Sequence, residues 1–221
     1  MVAPGWHSPV PPGQAGARLG AMAELDPKAT LLRYLQFGRD ALAWKLDGLG
    51  EYDIRRPMTP TGTNLLGLIK HQAGVEVGYF GDTFGRPLSE PLPWESEVAG
   101  NPNVDMWATA TESREYIVGL YRRAWAHADA TISALPLEAT GHVPWWPAGR
   151  DEVTLHQILV HVATETHRHA GHADIIRETI DGAAGLRKND SNLPEADPAS
   201  WSSYRQQVER AAREAAAARP S

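Results

Sequence analysis

His161, Glu165, His169 and His172 follow one another at steps of four, four and three residues. On an α-helix such steps return to nearly the same angle, so the four side chains project from one face. Imidazole nitrogens and carboxylate oxygens are the donors that hold zinc and related divalent ions in catalytic sites. An i,i+4 pair such as Glu165 and His169 can clamp one ion from a single helix, as the two histidines of an H-E-x-x-H helix do. A third ligand must then come from another helix. His71, which follows the apolar run of residues 65–69, is the candidate. Three protein ligands leave an open position for water or substrate, the arrangement of catalytic zinc.

Each residue also has a plainer reading. His71 alone is a hydrogen-bonded core or boundary histidine. The row on the fourth helix is a solvated face unless Ile158, Val162, Ile175 and Ile176, which share or border it, turn it inward. His156 and His167 fall off the row and read as surface residues, and His127 and His142 as structural or exposed ones. Arg168 and Arg177 are candidates to meet substrate carboxylates, with surface ion pairs to Asp174 or Glu178 as the alternative for Arg177.

Four segments carry the helical period that such a site needs, at about 27–48, 63–84, 104–134 and 155–181, and none reads as a strand. Thr63 is the expected N-cap of the second segment. Thr154 and Gln157 form a capping box before the fourth, and Gly182 ends it. Between the third and fourth lies HVPWWPAG, an ordered non-helical loop by its paired tryptophans and flanking prolines. Trp145 and Trp146 either wall a pocket or plug the end of a bundle. The connection over 86–103 is long enough for a crossover. The reading is an all-α four-helix bundle over 26–185. A linker over 186–199 then leads to a helix over 200–218, capped by Ser200 and packed on the bundle through Trp201, Tyr204 and Val208. Residues 1–25, rich in Pro and Gly, read as a disordered leader, with Met22 as an alternative start.

The chain has 221 residues, a net charge of −6 and no cysteine. Without cysteine there is no disulfide, no zinc–thiolate site and no cysteine nucleophile. Any thiol chemistry therefore needs a thiol brought by the substrate. The acidic balance and the lack of a Lys/Arg cluster argue against nucleic acid and anionic membranes as partners. No apolar stretch is long enough to span a bilayer, and no secretory signal leads the chain, so the expected location is the cytoplasm.

The segments NLLGLIKHQAGVE, PWW and ETHRHAGHADIIRE together resemble the DinB/YfiT-like metalloenzyme family, in particular its actinobacterial branch. The resemblance runs over about residues 27–215 and includes SNLPEADPASW. It implies a four-helix bundle with a crossover and a metal triad falling on His71, Glu165 and His169. Glu at the middle position is shared with the mycothiol-dependent maleylpyruvate isomerase relative, where many other members carry His. His172 falls where many members carry Gln. His161, one turn before the triad, reads as a residue that orients a ligand through its other ring nitrogen. The resemblance further implies a divalent metal, zinc first with nickel, iron or manganese as alternatives. It also implies a thiol cosubstrate such as mycothiol and a small electrophilic substrate, acted on by transfer or isomerisation. The alternatives are a small-molecule binding or sequestration protein without turnover and a metal-stabilised homodimer.

Overall fold

The structure, a computed structural model, describes residues 26–218, so the expected leader and Met22 lie outside it. Six α-helices and one short hairpin make up the described chain. They are α1 (Pro27–Ala43), α2 (Glu51–Arg55), α3 (Leu65–Phe80), α4 (Arg114–Ala134), β1 (Thr140–His142), β2 (Glu152–Thr154), α5 (Leu155–Asp181) and α6 (Pro198–Ala217). No helix among the described residues is long and apolar enough to cross a membrane.

The four long helices of the bundle start where a side chain can accept one of the amide protons left free by the first turn. Asp26 receives the Lys28 amide before α1, and Ser113 that of Tyr116 before α4. Asn64, not Thr63, caps α3 by accepting from the Gly67 amide at 2.7 Å. Thr154 accepts from the Gln157 amide ahead of α5, as its capping box predicts. Gly182 stops α5 at φ 79°, a left-handed conformation that glycine adopts without strain.

The most extensive pairings are α1 with α5 and α3 with α4, while α3 also meets α5 across the middle. Sequence order therefore does not set the main neighbours of α1 and α5, and the connections cross the bundle. α3 is buried on almost every side rather than along one stripe, which makes it the central helix. Its charged residues survive there only because they are paired. Glu76 receives two hydrogen bonds of 2.7 Å from the Arg39 guanidinium, with both side chains fully buried. Arg39 extends the network to Asp129 on α4 at 2.8 Å. Lys70 meets Glu112 at 3.0 Å.

Three expectations need correction. The third helix begins at Arg114, ten residues later than the apolar pattern suggests, because residues 104–113 form a non-helical strap. Side chains of other elements take up its carbonyls: Arg55 donates to Thr109 O and Glu112 O, and Lys70 donates to Trp107 O. The PWW loop is non-helical as expected, but although no segment reads as a strand it sits at the tip of an antiparallel hairpin, with Thr140 opposite Thr154 and His142 opposite Glu152. Finally, α6 forms, but Asp197 caps it with Pro198 in the first turn, and none of its residues is buried. Tyr204 is 58% exposed and Val208 51%, so the stripe meant to hold α6 on the bundle faces outward. Only Trp201 of the three is half-buried. The three residues do share a helical face, but an apolar stripe does not specify what covers it.

Candidate metal centre

α5 presents Glu165 and His169 one turn apart, with His169 Nε2 2.8 Å from Glu165 Oε1. α3 brings His71 from the opposite side, its Nε2 3.9 Å from the same oxygen. One donor atom from each of the three residues lies within 4.8 Å of the other two. Donors about 2.0–2.2 Å from a common zinc stand about 3–4 Å apart. Small side-chain rotations would thus let this set close on one ion. The helices are held in register directly behind the site. Thr166 Oγ1 donates to Gln72 Oε1 at 2.9 Å in a buried contact, and these residues immediately follow Glu165 and His71.

The second nitrogen of each imidazole is also engaged. His71 Nδ1–H donates to Asp105 Oδ2 at 2.7 Å, which leaves Nε2 with its lone pair toward Glu165 and His169. His169 Nδ1 lies 3.3 Å from His172 Nδ1, one ring donating and the other accepting. Burial holds His169 below its ordinary value of 6.5, a shift that Glu165 opposes and His71 reinforces. Burial thereby favours the neutral ring, the form that binds metals.

A cavity of about 720 Å³ opens beside these residues, with His71, Asp105 and Glu165 in its lining. Val75, Leu92 and the buried Trp94 contribute apolar walls, and no Lys or Arg borders it among the described residues. The tryptophan pair divides between the two roles expected of it. Trp145, 51% exposed, lines the cavity and lies against Gly78, where an added Cβ would stand 3.0 Å from the indole. Trp146 turns into the apolar core around Phe80 and Val143, and its Nε1 donates to Tyr79 Oη at 3.1 Å.

His161 faces the cavity but makes no hydrogen bond to a triad member. Its ring packs against Tyr79 at 4.7 Å and Trp146 at 5.1 Å between centroids, and burial lowers its pKa. Orientation of the triad imidazoles falls instead to Asp105 and His172. The sequence offers no sign of Asp105, a lone carboxylate at the start of a segment whose apolar pattern reads as helix. Arg177 is not available to substrate: it is buried, donating to the carbonyls of Lys45 and Asp47 and to Asp181. Arg168 is exposed, 3.9 Å from Glu165. His167 binds Tyr34 O and His127 binds Arg86 O, both as structural ties.

A search of curated proteins found no match to the chain. The family model described as mycothiol-S-transferase matches residues 30–182, a span that begins in α1, ends at the cap of α5 and contains the whole site. With well over half its length matched, and with the helical bundle that the resemblance implied, the chain belongs to the mycothiol-S-transferase family.

Proposed function

We propose that the protein is a metal-dependent transferase that joins mycothiol, or a closely similar small thiol, to an electrophilic small molecule. The observation that carries this reading is the meeting of His71, Glu165 and His169, of which His71 and Glu165 line a large, mainly apolar cavity. The donor set of two neutral imidazoles and one carboxylate suits zinc, with nickel, iron and manganese as alternatives. A divalent ion held there would bind a thiol and lower its pKa, and the thiolate is the reactive nucleophile.

The chain's own residues supply the rest. Asp105 and His172 hold the two imidazoles in orientation. His161, which lines the cavity and whose pKa burial lowers, would accept the thiol proton. Trp94 and Trp145 exclude water and offer flat apolar surfaces to the electrophile. In the transfer, the sulfur–carbon bond forms as the leaving group departs with its electron pair. A chain without cysteine cannot form a mixed disulfide with its own cosubstrate.

Metal analysis of the purified protein followed by an assay with mycothiol and monochlorobimane tests the reading. The expected result is about one divalent ion per chain and a fluorescent thioether that forms only with metal present. His169→Ala should remove both metal and activity, and Glu165→Gln should remove them in part, since an amide is a poorer ligand than a carboxylate. A metal-loaded protein that leaves a panel of thiols and electrophiles unchanged, yet binds a small molecule tightly, would favour sequestration instead.

A further inference from the structure

Residues 105–107 lie along α3, touching the face that carries Asn64, Gly67, Lys70 and His71. Asn64 Nδ2 donates to Met106 O at 3.1 Å. Lys70 Nζ donates to Trp107 O at 3.1 Å and pairs with Glu112 at 3.0 Å. His71 Nδ1 donates to Asp105 Oδ2 at 2.7 Å. Gly67 sits in the middle of this row. A Cβ there would stand 1.8 Å from Met106 O and 2.5 Å from Met106 C, both backbone atoms. No L side chain fits unless the strap moves away from the helix by more than an ångström, since ordinary contact begins at about 3.4 Å. A hydrogen bond of 2.7 Å does not survive a displacement of that size.

We infer that Gly67 is a positioning residue of the metal centre. By letting the backbone of residues 105–107 rest directly on α3, it delivers Asp105 to His71 and so decides which nitrogen of that ring faces Glu165 and His169. A carboxylate on Nδ1 fixes the Nδ1–H tautomer, with the Nε2 lone pair turned to the other two donors. When the strap is lifted, His71 can occupy either tautomer and rotate, and only part of the population presents a ligand. Gly67 touches neither metal nor substrate and acts wholly through Asp105. The consequence for metal affinity rests on the proposed function, whereas the consequence for the tautomer does not.

The test uses the full chain and the variants Gly67→Ala, Lys70→Met and Asp105→Ala. Lys70→Met keeps the buried stem while removing two bonds to the strap, and it replaces Gly67→Ala if that variant does not fold. In the metal-free protein, ¹⁵N NMR of the histidine rings should show His71 as the Nδ1–H tautomer. In each variant it should show a mixture. Zinc affinity, read by chelator competition, should fall about 10- to 100-fold in each, the usual effect of losing a residue that orients a ligand. The Gly67→Ala/Asp105→Ala double variant should be no weaker than the poorer single one, because both losses run through the same bond.

The inference is overturned if Gly67→Ala, or Lys70→Met in its place, keeps the wild-type tautomer. Additive losses of zinc affinity, or a lowered melting temperature with both other readouts unchanged, would also overturn it. If the wild type takes up no zinc but the tautomer responds as described, the metal reading fails and the positioning role of Gly67 stands.

Discussion

His172 Nδ1 lies 3.3 Å from His169 Nδ1, so the last histidine of the row on α5 braces a triad residue and does not complete the triad itself. The two rings cross at 74°, with centroids 5.2 Å apart. As the side chains stand, His169 Nε2 donates to Glu165 and Nδ1 accepts from His172. If Nε2 were given up to an ion, the proton would move to Nδ1 and His172 would become the acceptor. A neutral imidazole can play either part because it has one donor and one acceptor. His172→Ala should therefore keep its zinc but bind it about 10- to 100-fold more weakly, while His169→Ala should not retain it. Chelator competition separates the two. An unchanged zinc affinity with an altered KM would place His172 against the substrate instead.

The two tryptophans of the hairpin tip should separate stability from substrate binding. Trp146 is packed among core residues and tied to Tyr79, so Trp146→Ala should cost about 2–4 kcal/mol of folding stability. Trp145 is half exposed and borders the cavity, so Trp145→Ala should cost less than about 1 kcal/mol. It should nonetheless raise KM for an apolar electrophile. Urea unfolding and steady-state kinetics on both variants check this, and the reverse pattern would exchange their roles.

Arg39 and Glu76 tie α1 to the central helix by a doubly hydrogen-bonded pair without solvent exposure. Removing Glu76 leaves the buried guanidinium with Asp129, 42% exposed, as its one remaining carboxylate. Glu76→Ala should lower stability by about 3–5 kcal/mol, more than exposed ion pairs such as Arg213 with Glu209 contribute. Replacing both with apolar residues, Arg39→Met with Glu76→Leu, should recover a substantial part of that loss. The midpoint of urea denaturation is the measurement, and a double variant worse than Glu76→Ala would show that the pair stabilises the bundle beyond its own burial.

What is legible in the sequence follows from the range of each interaction. The row on α5, its Thr154 cap and its Gly182 stop are local, so spacing alone predicts helix, limits and shared face. His71 can be singled out because an imidazole so soon after an apolar run conflicts with its surroundings. The hairpin is invisible because strands of three residues, Thr140–His142 and Glu152–Thr154, are too short to show alternation. Asp105 is invisible because its role depends on where the strap crosses α3, a contact between residues 34 apart. Trp107 makes residues 104–113 look helical, although Ser113 is available as the cap that starts α4 later. The stripe on α6 shows the limit from the other side: Trp201, Tyr204 and Val208 share a face, but Tyr204 and Val208 have no cover among the described residues.

His161 should make the metal-free protein sensitive to mild acid. Burial holds its pKa below the ordinary 6.5, so in the folded state it binds a proton less readily than in the unfolded chain. Between the two values the unfolded state carries more protons, and stability rises with pH across that window. The stability this group contributes should accordingly be fully present above about pH 6.5 and be lost as the pH falls below it, with a slope of at most about 1.4 kcal/mol per pH unit. His169 shifts in the same direction and adds to the effect. His161→Gln should flatten the profile without abolishing it. Urea denaturation at a series of pH values checks this, and a His161→Gln profile as steep as that of the wild type would assign the acid sensitivity elsewhere.

Charge should also select among thiols, because the cavity is lined by four carboxylates, Asp82, Glu95, Asp105 and Glu165, and by no Lys or Arg among the described residues. Glu165 and Asp105 together would offset a divalent ion held there, which leaves Asp82 and Glu95 as the net charge facing an incoming molecule. A unit charge about 8 Å away at an effective dielectric of about 40 contributes about 1 kcal/mol. Two such groups should therefore disfavour a carboxylate-bearing thiol such as glutathione by roughly 30-fold, and leave an uncharged thiol unaffected. Asp82→Asn with Glu95→Gln removes the charge with little change of shape. The amide so placed at position 95 keeps an oxygen for the Leu92 N–H, which Glu95 now receives at 3.2 Å. The double variant should gain roughly 30-fold in kcat/KM toward glutathione at low salt, with mycothiol changed by less than about two-fold. The gain should shrink as ionic strength rises, because the mouth of the cavity is open to screening. Equal gains for both thiols would mean that Asp82 and Glu95 act on the shape of the cavity, and no gain for either would mean that discrimination is made at the metal end.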